Sequence, residues 1–178
     1  MMGARYCLSL NNCIVGGYTS HINAAMCKRA GGYDRGECLD SMECYDPVTN
    51  KWSALPSMST ARGRFDVTHI GNKLYACGGS DGARDLKSAE VYDWDAHAWS
   101  RLPDMAYERS SPGVAAVDGK LYVIGGWSGC AGLKKCEVFD PEQSKWSRIA
   151  DMTSGWYQTH FVPQFYANIK NITYSSCL

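Results

Sequence analysis

Cysteine and histidine are the side chains of this sequence best suited to chemistry, as thiolate nucleophiles, redox couples or metal ligands. The nine cysteines stand at 7, 13, 27, 38, 44, 77, 130, 136 and 177, an odd count with no C-x-x-C spacing of the kind zinc sites use. Free thiols in a reducing compartment are the expected state. His21, His69, His97 and His160 show no ligand spacing, and no G-x-S-x-G elbow is present. The sequence therefore predicts no catalytic set, no metal site and no cofactor, with the histidines in ordinary structural or solvent-facing roles. The stretch YACGGSDGARD, residues 75–85, raises a phosphate loop as an alternative. That reading needs a helix behind the glycines whose amides hold the anion, and no helical apolar period follows.

Composition narrows the function classes. Of 178 residues 45% are hydrophobic and 20% charged, and 18 basic residues balance 18 acidic ones, so nothing argues for nucleic acid or a membrane surface. Arg5 precedes a short run, YCLSL, that two asparagines end too early for a secretory signal, and no apolar stretch reaches the ~18 residues of a membrane span. A soluble, cytoplasmic protein is expected. The NIT sequon at 171–173 is then inert.

The glycines belong to a repeat. Gly31-Gly32, Gly78-Gly79 and Gly125-Gly126 recur at an offset of 47 residues, and so do Leu39, Leu86 and Leu133. Glu43, Glu90 and Glu137 follow in the same register, as do Tyr45, Tyr92 and Phe139, then Trp52, Trp99 and Trp146, and finally Met58, Met105 and Met152. Three tandem units result, 24–58, 59–105 and 106–152, between an irregular segment 1–23 and a non-repeat tail 153–178. Short runs rich in Val, Tyr, Trp and Phe, punctuated by Gly, Asp, Pro and Asn, read as strands, four to a unit. In the third unit they are 111–118, 120–126, 134–140 and 145–149. The recurrence of the glutamates predicts a structural role for them.

A four-stranded antiparallel unit repeated at this length is the mark of a β-propeller, and the diglycine, Glu-x-Tyr and Trp arrangement resembles the Kelch-repeat family. The resemblance implies an all-β fold, a Kelch β-propeller fragment of about three four-stranded antiparallel blades that does not complete a ring. In it the glycines admit close backbone or ring approach, and the aromatic pairs fill each blade. Two regions depart from the pattern. In the first unit AAMCKRAGG puts Cys27 and Lys28 where Leu and Tyr stand in the others, so its inner strand is expected to fail, with NNCIVGGY at 11–18 as a rival second strand. After Met152 the pattern stops, and Trp156 stands where Arg62 and Arg109 stand in the units before. The aromatic tail could dock as a makeshift strand over an open blade, Pro163 limiting its length; a chain cut from a longer protein accounts for the same features.

Function then moves to the loops. One set follows each diglycine: Tyr33 and Arg35, then Ser80, Asp81 and Arg84, then Trp127. A second set leads into each innermost strand: Arg62 and Arg64, then Arg109, Ser110 and Ser111. Both sets are expected on one face. The resemblance implies that Tyr33, Ser80, Trp127, Arg64 and Ser110 contact acidic or polar peptide segments. Of the BTB-Kelch type, it further implies a parent that is dimeric through a BTB domain not in this sequence, with a ubiquitin-ligase substrate as protein partner. Actin is the alternative partner, which would place the chain on the cytoskeleton; a nuclear location is open as well. A Kelch-propeller enzyme is the third reading, requiring an acid–base or metal cluster at the axis.

Overall fold

The computed structural model describes residues 13–15 and 27–155. Their strands form three four-stranded antiparallel sheets, each meandering from an inner to an outer strand. Blade 1 holds β1 (Cys13–Val15), β2 (Cys27–Asp34), β3 (Glu37–Asp46) and β4 (Lys51–Leu55); blade 2 holds β5 (Asp66–Ile70), β6 (Lys73–Cys77), β7 (Ala89–Asp93) and β8 (Ala98–Arg101). Blade 3 is β9 (Gly113–Val117), β10 (Lys120–Ile124), β13 (Cys136–Asp140) and β14 (Lys145–Ile149), with a small ribbon of β11 (Trp127–Ser128) and β12 (Ala131–Gly132) in its loop. The three sheets are all-β propeller blades that do not close a ring.

The expectation for the first unit is corrected. Cys27 and Lys28 do enter a second strand, and Cys13–Val15 is its inner neighbour rather than a rival, pairing Cys13 with Ala30 and Val15 with Lys28. A lysine is tolerated there because its ammonium lies 4.0 Å from the ring centroid of Trp94 in blade 2. Burial lowers its pKa, as for any ammonium drawn out of water.

Alternation along the strands sends one row of side chains to each neighbour. Tyr75, Cys77 and Ala89 of blade 2 meet Val114, Leu121, Val123 and Phe139 of blade 3, and Ala30 and Met42 of blade 1 meet Leu74 and Tyr92 of blade 2. The repeated aromatics lie within each blade as tilted pairs, Tyr45–Trp52, Tyr92–Trp99 and Phe139–Trp146, with ring centroids 5.0–5.3 Å apart. The indole N–H of Trp99 donates to the Pro56 carbonyl and that of Trp146 to the Pro103 carbonyl, each reaching back into the preceding unit.

The outer hairpin of every blade is built alike. The carboxylates of Asp46, Asp93 and Asp140 accept the amides of Val48, Asp95 and Glu142, and Asn50, His97 and Ser144 take the left-handed conformation before the last strand. His97 is therefore a turn residue, its ring 3.0 Å from the Tyr92 hydroxyl. His69 is an exposed residue of β5; His21, His160 and nearly all of the tail lie outside the described residues.

Candidate functional site

The diglycines are packing devices, and the first two each join two blades. Both residues of every pair have positive φ, from 53° to 107°. A Cβ on Gly79 would stand 2.6 Å from the Gly63 carbonyl oxygen and 2.7 Å from Phe65 Cβ, and one on Gly126 would stand 2.8 Å from the Ser110 carbonyl oxygen. The amide of Gly32 donates to the Arg62 carbonyl and that of Gly79 to the Arg109 carbonyl, so these two pairs are pinned to the connector leading into the next blade.

Those two connector arginines are the main correction to the loop reading. Arg62 and Arg109 are fully buried rather than presented on a face. Arg62 donates to the carbonyls of Gly78 and Ser88, to Ser88 Oγ and to Glu90 Oε1 at 2.9–3.2 Å, and Glu90 Oε2 also accepts the Ser59 amide and hydroxyl. Arg109 repeats this with the Gly125 and Lys135 carbonyls and Glu137, at 2.6–3.0 Å. Its Nε has no hydrogen-bond partner among the described residues: Glu137 Oε2 meets Nη2 alone, whereas Glu90 Oε1 accepts from both Nε and Nη2 of Arg62. The signal was available: arginine and glutamate recur in the same register, 28 residues apart in both units.

With the arginines removed, the loop end of the stack comprises the residues that follow the diglycines and those that open the inner strands. Backbone bridges bring them together, Gly63 with Ser80 and Ser110 with Trp127. Ser80 and Ser110 are themselves buried, at 4% and 1% exposure. The Ser80 hydroxyl accepts the Gly82 amide, and the Ser110 hydroxyl donates to the Trp127 carbonyl at 3.5 Å. Around them the others reach solvent to different degrees. Tyr33 is 48% exposed. Arg35 sits at φ 48° beside Gly36 in the two-residue turn between β2 and β3. Trp127 and Ser111 are half-buried, and the indole of Trp127 donates to the Gly129 carbonyl.

Asp81 and Arg84 engage each other: the carboxylate accepts the amides of Ala83 and Arg84 and lies 3.5 Å from the Arg84 guanidinium. These amides and that cation hold the Asp81 carboxyl below its ordinary value. Arg64 differs. It is exposed, left-handed at φ 50°, and forms no ion pair among the described residues, while its carbonyl accepts the Ser111 amide at 2.6 Å and so ties blade 2 to blade 3. Sequence reasoning passed over Cys38, which lies beneath this cluster with its sulfur 3.0 Å from where a Cβ on Gly63 would be. Burial pushes its thiol pKa up, so it is a packing residue rather than a thiolate.

Among the described residues no three His, Cys, Asp or Glu side chains gather as a metal site, and no helix is long and apolar enough to cross a membrane. The arrangement is a rigid end surface of guanidinium, carboxylate, phenol and indole, able to accept charged or polar groups by hydrogen bonding and stacking.

Comparison with known proteins bears on the repeat and the fold. The family profile described as Kelch motif matches residues 30–59, 61–106 and 108–153. The influenza virus NS1A-binding protein homolog of Mus musculus is 52% identical over 46 residues, and the influenza virus NS1A-binding protein of Homo sapiens 50% over 46 residues. Each match covers 26% of this chain and 7% of the relative. Among solved structures that of YjhT superposes with a TM-score of 0.66 at 15% identity, over 82% of this chain and 53% of that one, a likeness of fold. With three motifs matched over most of its length, the chain belongs to the Kelch-repeat family.

Proposed function

We propose that this chain is a protein-interaction module that captures a protein partner on its loop end without catalysis. One observation carries the reading: the exposed Arg64, left-handed and without an ion pair among the described residues, belongs to the same loop end as Tyr33, Asp81 and Trp127, a surface tied together by inter-blade hydrogen bonds. A preset guanidinium loses little entropy on meeting a carboxylate, and a phenol beside it adds contact area. The partner-binding residues of this reading are Tyr33, Arg35, Arg64, Asp81, Arg84, Ser111 and Trp127, with Ser80 and Ser110 setting the loops that carry them. In a BTB-Kelch parent the same surface would present substrates to a ubiquitin ligase.

The relatives are named for binding the viral protein NS1A, which makes NS1A a usable probe. Surface-immobilised chain should bind purified NS1A, and Arg64→Ala should weaken that binding by about tenfold or more, a hot-spot loss, with the circular dichroism spectrum unchanged. An unaltered affinity removes Arg64 from the surface. Co-sedimentation with filamentous actin, insensitive to Arg64→Ala, would support the cytoskeletal alternative instead.

A further inference from the structure

The second and third strands of every blade face each other at one equivalent rung, and blade 1 departs from the residue types found there. Tyr75 lies opposite Val91 in blade 2, and Tyr122 opposite Val138 in blade 3. The same rung of blade 1 pairs Lys28 with Cys44, an amine directly across from a thiol. Directly opposed residues of an antiparallel pair point to one face with Cβ atoms about 4.5–5.5 Å apart, so the arm of Lys28 is long enough to bring its nitrogen to the Cys44 sulfur. Both side chains point into the joint with blade 2. Ala30, two positions after Lys28, and Met42, two before Cys44, belong to the core that Leu74 and Tyr92 complete. Cys44 is 6% exposed, and the Lys28 ammonium lies over Trp94 with no carboxylate of the described residues paired to it. Placing an amine and a thiol in a joint where the repeat puts a ring and a branched aliphatic sacrifices packing and hydration, and departures of that kind mark sites of chemistry.

We propose that Lys28 and Cys44 are a modification site, forming a covalent N–S bridge when a peroxide oxidises the Cys44 sulfur and releasing it when a thiol attacks. In the first step the sulfur attacks the O–O bond of hydrogen peroxide and becomes a sulfenic acid, while the other oxygen leaves as water. In the second the Lys28 nitrogen attacks that sulfur. An N–S bond forms, the S–O bond breaks, and the departing hydroxide takes a proton from nitrogen and leaves as water. The protein loses one hydrogen from each side chain, and the peroxide is reduced to two waters. The attack requires a neutral amine, and burial favours that form of Lys28 against the opposing attraction of an ionised Cys44. Because the two residues already share a rung, no strand has to move. The rung lies one position from the Cys27–Tyr45 end of the ladder, where a small peroxide has the shortest way in. A nitrogen bound to sulfur carries no positive charge at neutral pH, so closure also withdraws the cation from Trp94, and with it one contact between blades 1 and 2.

The full 178-residue chain would be treated with hydrogen peroxide, digested without reductant and mapped by mass spectrometry. The bridge reads as two peptides joined through Lys28 and Cys44 at their summed mass less two hydrogens, uncut by trypsin after Lys28 and separated by dithiothreitol. It should be about tenfold or more as abundant in the native chain as in chain oxidised in urea, where the ladder no longer holds the two groups together. Lys28→Arg keeps a cation beside Trp94 but should abolish the joined peptides, leaving Cys44 to advance to sulfinic and sulfonic acid. The native chain overturns the proposal if its Cys44 stays a thiol under peroxide, advances to those acids without the bridge, or joins another cysteine instead. Equal yields in native and urea-treated chain overturn it as well, and that comparison decides the matter even where Lys28→Arg fails to fold. None of these readings depends on whether NS1A binds the loop end.

Discussion

Glu43, Glu90 and Glu137 occupy one repeat position, yet blade 1 treats its glutamate differently from blades 2 and 3. Glu90 and Glu137 are 1% exposed and held by arginines whose backbones hydrogen-bond to the preceding blade, Arg62 to Leu39 and Gly32, Arg109 to Leu86 and Gly79. Each of these arginines is a rivet between two blades: its main chain belongs to one and its guanidinium to the other. Among the described residues Glu43 has no such visitor. Its partner is Arg29, directly across the β2–β3 ladder at 3.5 Å, with side chains 33% and 40% exposed. Arg29 stands where Ala76 and Val123 stand in the other blades. A glutamate paired within its own sheet satisfies its charge but joins nothing, and the difference separates an internal blade from the first one.

The sharpest way to break this comparison is Arg62→Ala, which leaves Glu90 buried without its cation and should cost roughly 3–5 kcal/mol of stability in urea unfolding. A loss below about 1 kcal/mol would show that the joint does not depend on the rivet. Next come the indoles. Trp99→Ala removes a half-buried ring and its bond to the Pro56 carbonyl, and should cost about 3 kcal/mol. Trp52→Ala, at 49% exposure, should cost about 1 kcal/mol. Similar losses would mean that blade 1 is as firmly packed as blade 2.

Acid provides a third test. Burial of Glu90 works against its ionisation, but the Ser59 amide and hydroxyl and the Arg62 guanidinium outweigh it, so its pKa lies below the ordinary 4.5. A depressed carboxyl contributes stability that is complete above the unfolded value and disappears as pH falls through the folded one. Urea midpoints measured from pH 6 to pH 3 should therefore fall steeply below about pH 4.5 in the native chain and less steeply in Glu90→Gln, already weaker at neutral pH. Parallel slopes would exclude Glu90 as the titrating group. The smallest effect is expected at Arg29→Ala, within about 1 kcal/mol and reduced by salt, since the pair it breaks is half in water. A larger loss would make blade 1's pair a rivet after all.

How much was legible follows from the range of each interaction. Gly78-Gly79 and the Tyr92–Trp99 pair could be read directly, because a positive φ and a cross-strand pair are local demands that leave the same residue type at the same position in every unit. The ladder of the third blade lies within the strands expected for it. Arg62 was legible as a recurring residue but not as a buried one, since its acceptors, Gly78, Ser88 and Glu90, lie 16 to 28 residues away and only the folded blade brings them over it. Ser80 and Ser110 raise the same difficulty: small polar residues in a loop look exposed until the bridges to Gly63 and Trp127 fold them inward. Cys13–Val15 was misplaced because a three-residue strand carries almost no periodicity, and its place was set by pairing with β2.

The amino-acid order alone determined the unit: four short strands, a diglycine that only glycine can occupy, and an aromatic pair, each dictated by contacts within about one repeat length. Only the stacking of units decided that Arg62 becomes a rivet while Arg64, two positions on, faces solvent, and which serine is hidden. Burial belongs to the joint between two sheets, and no stretch of one sheet encodes what its neighbour will cover.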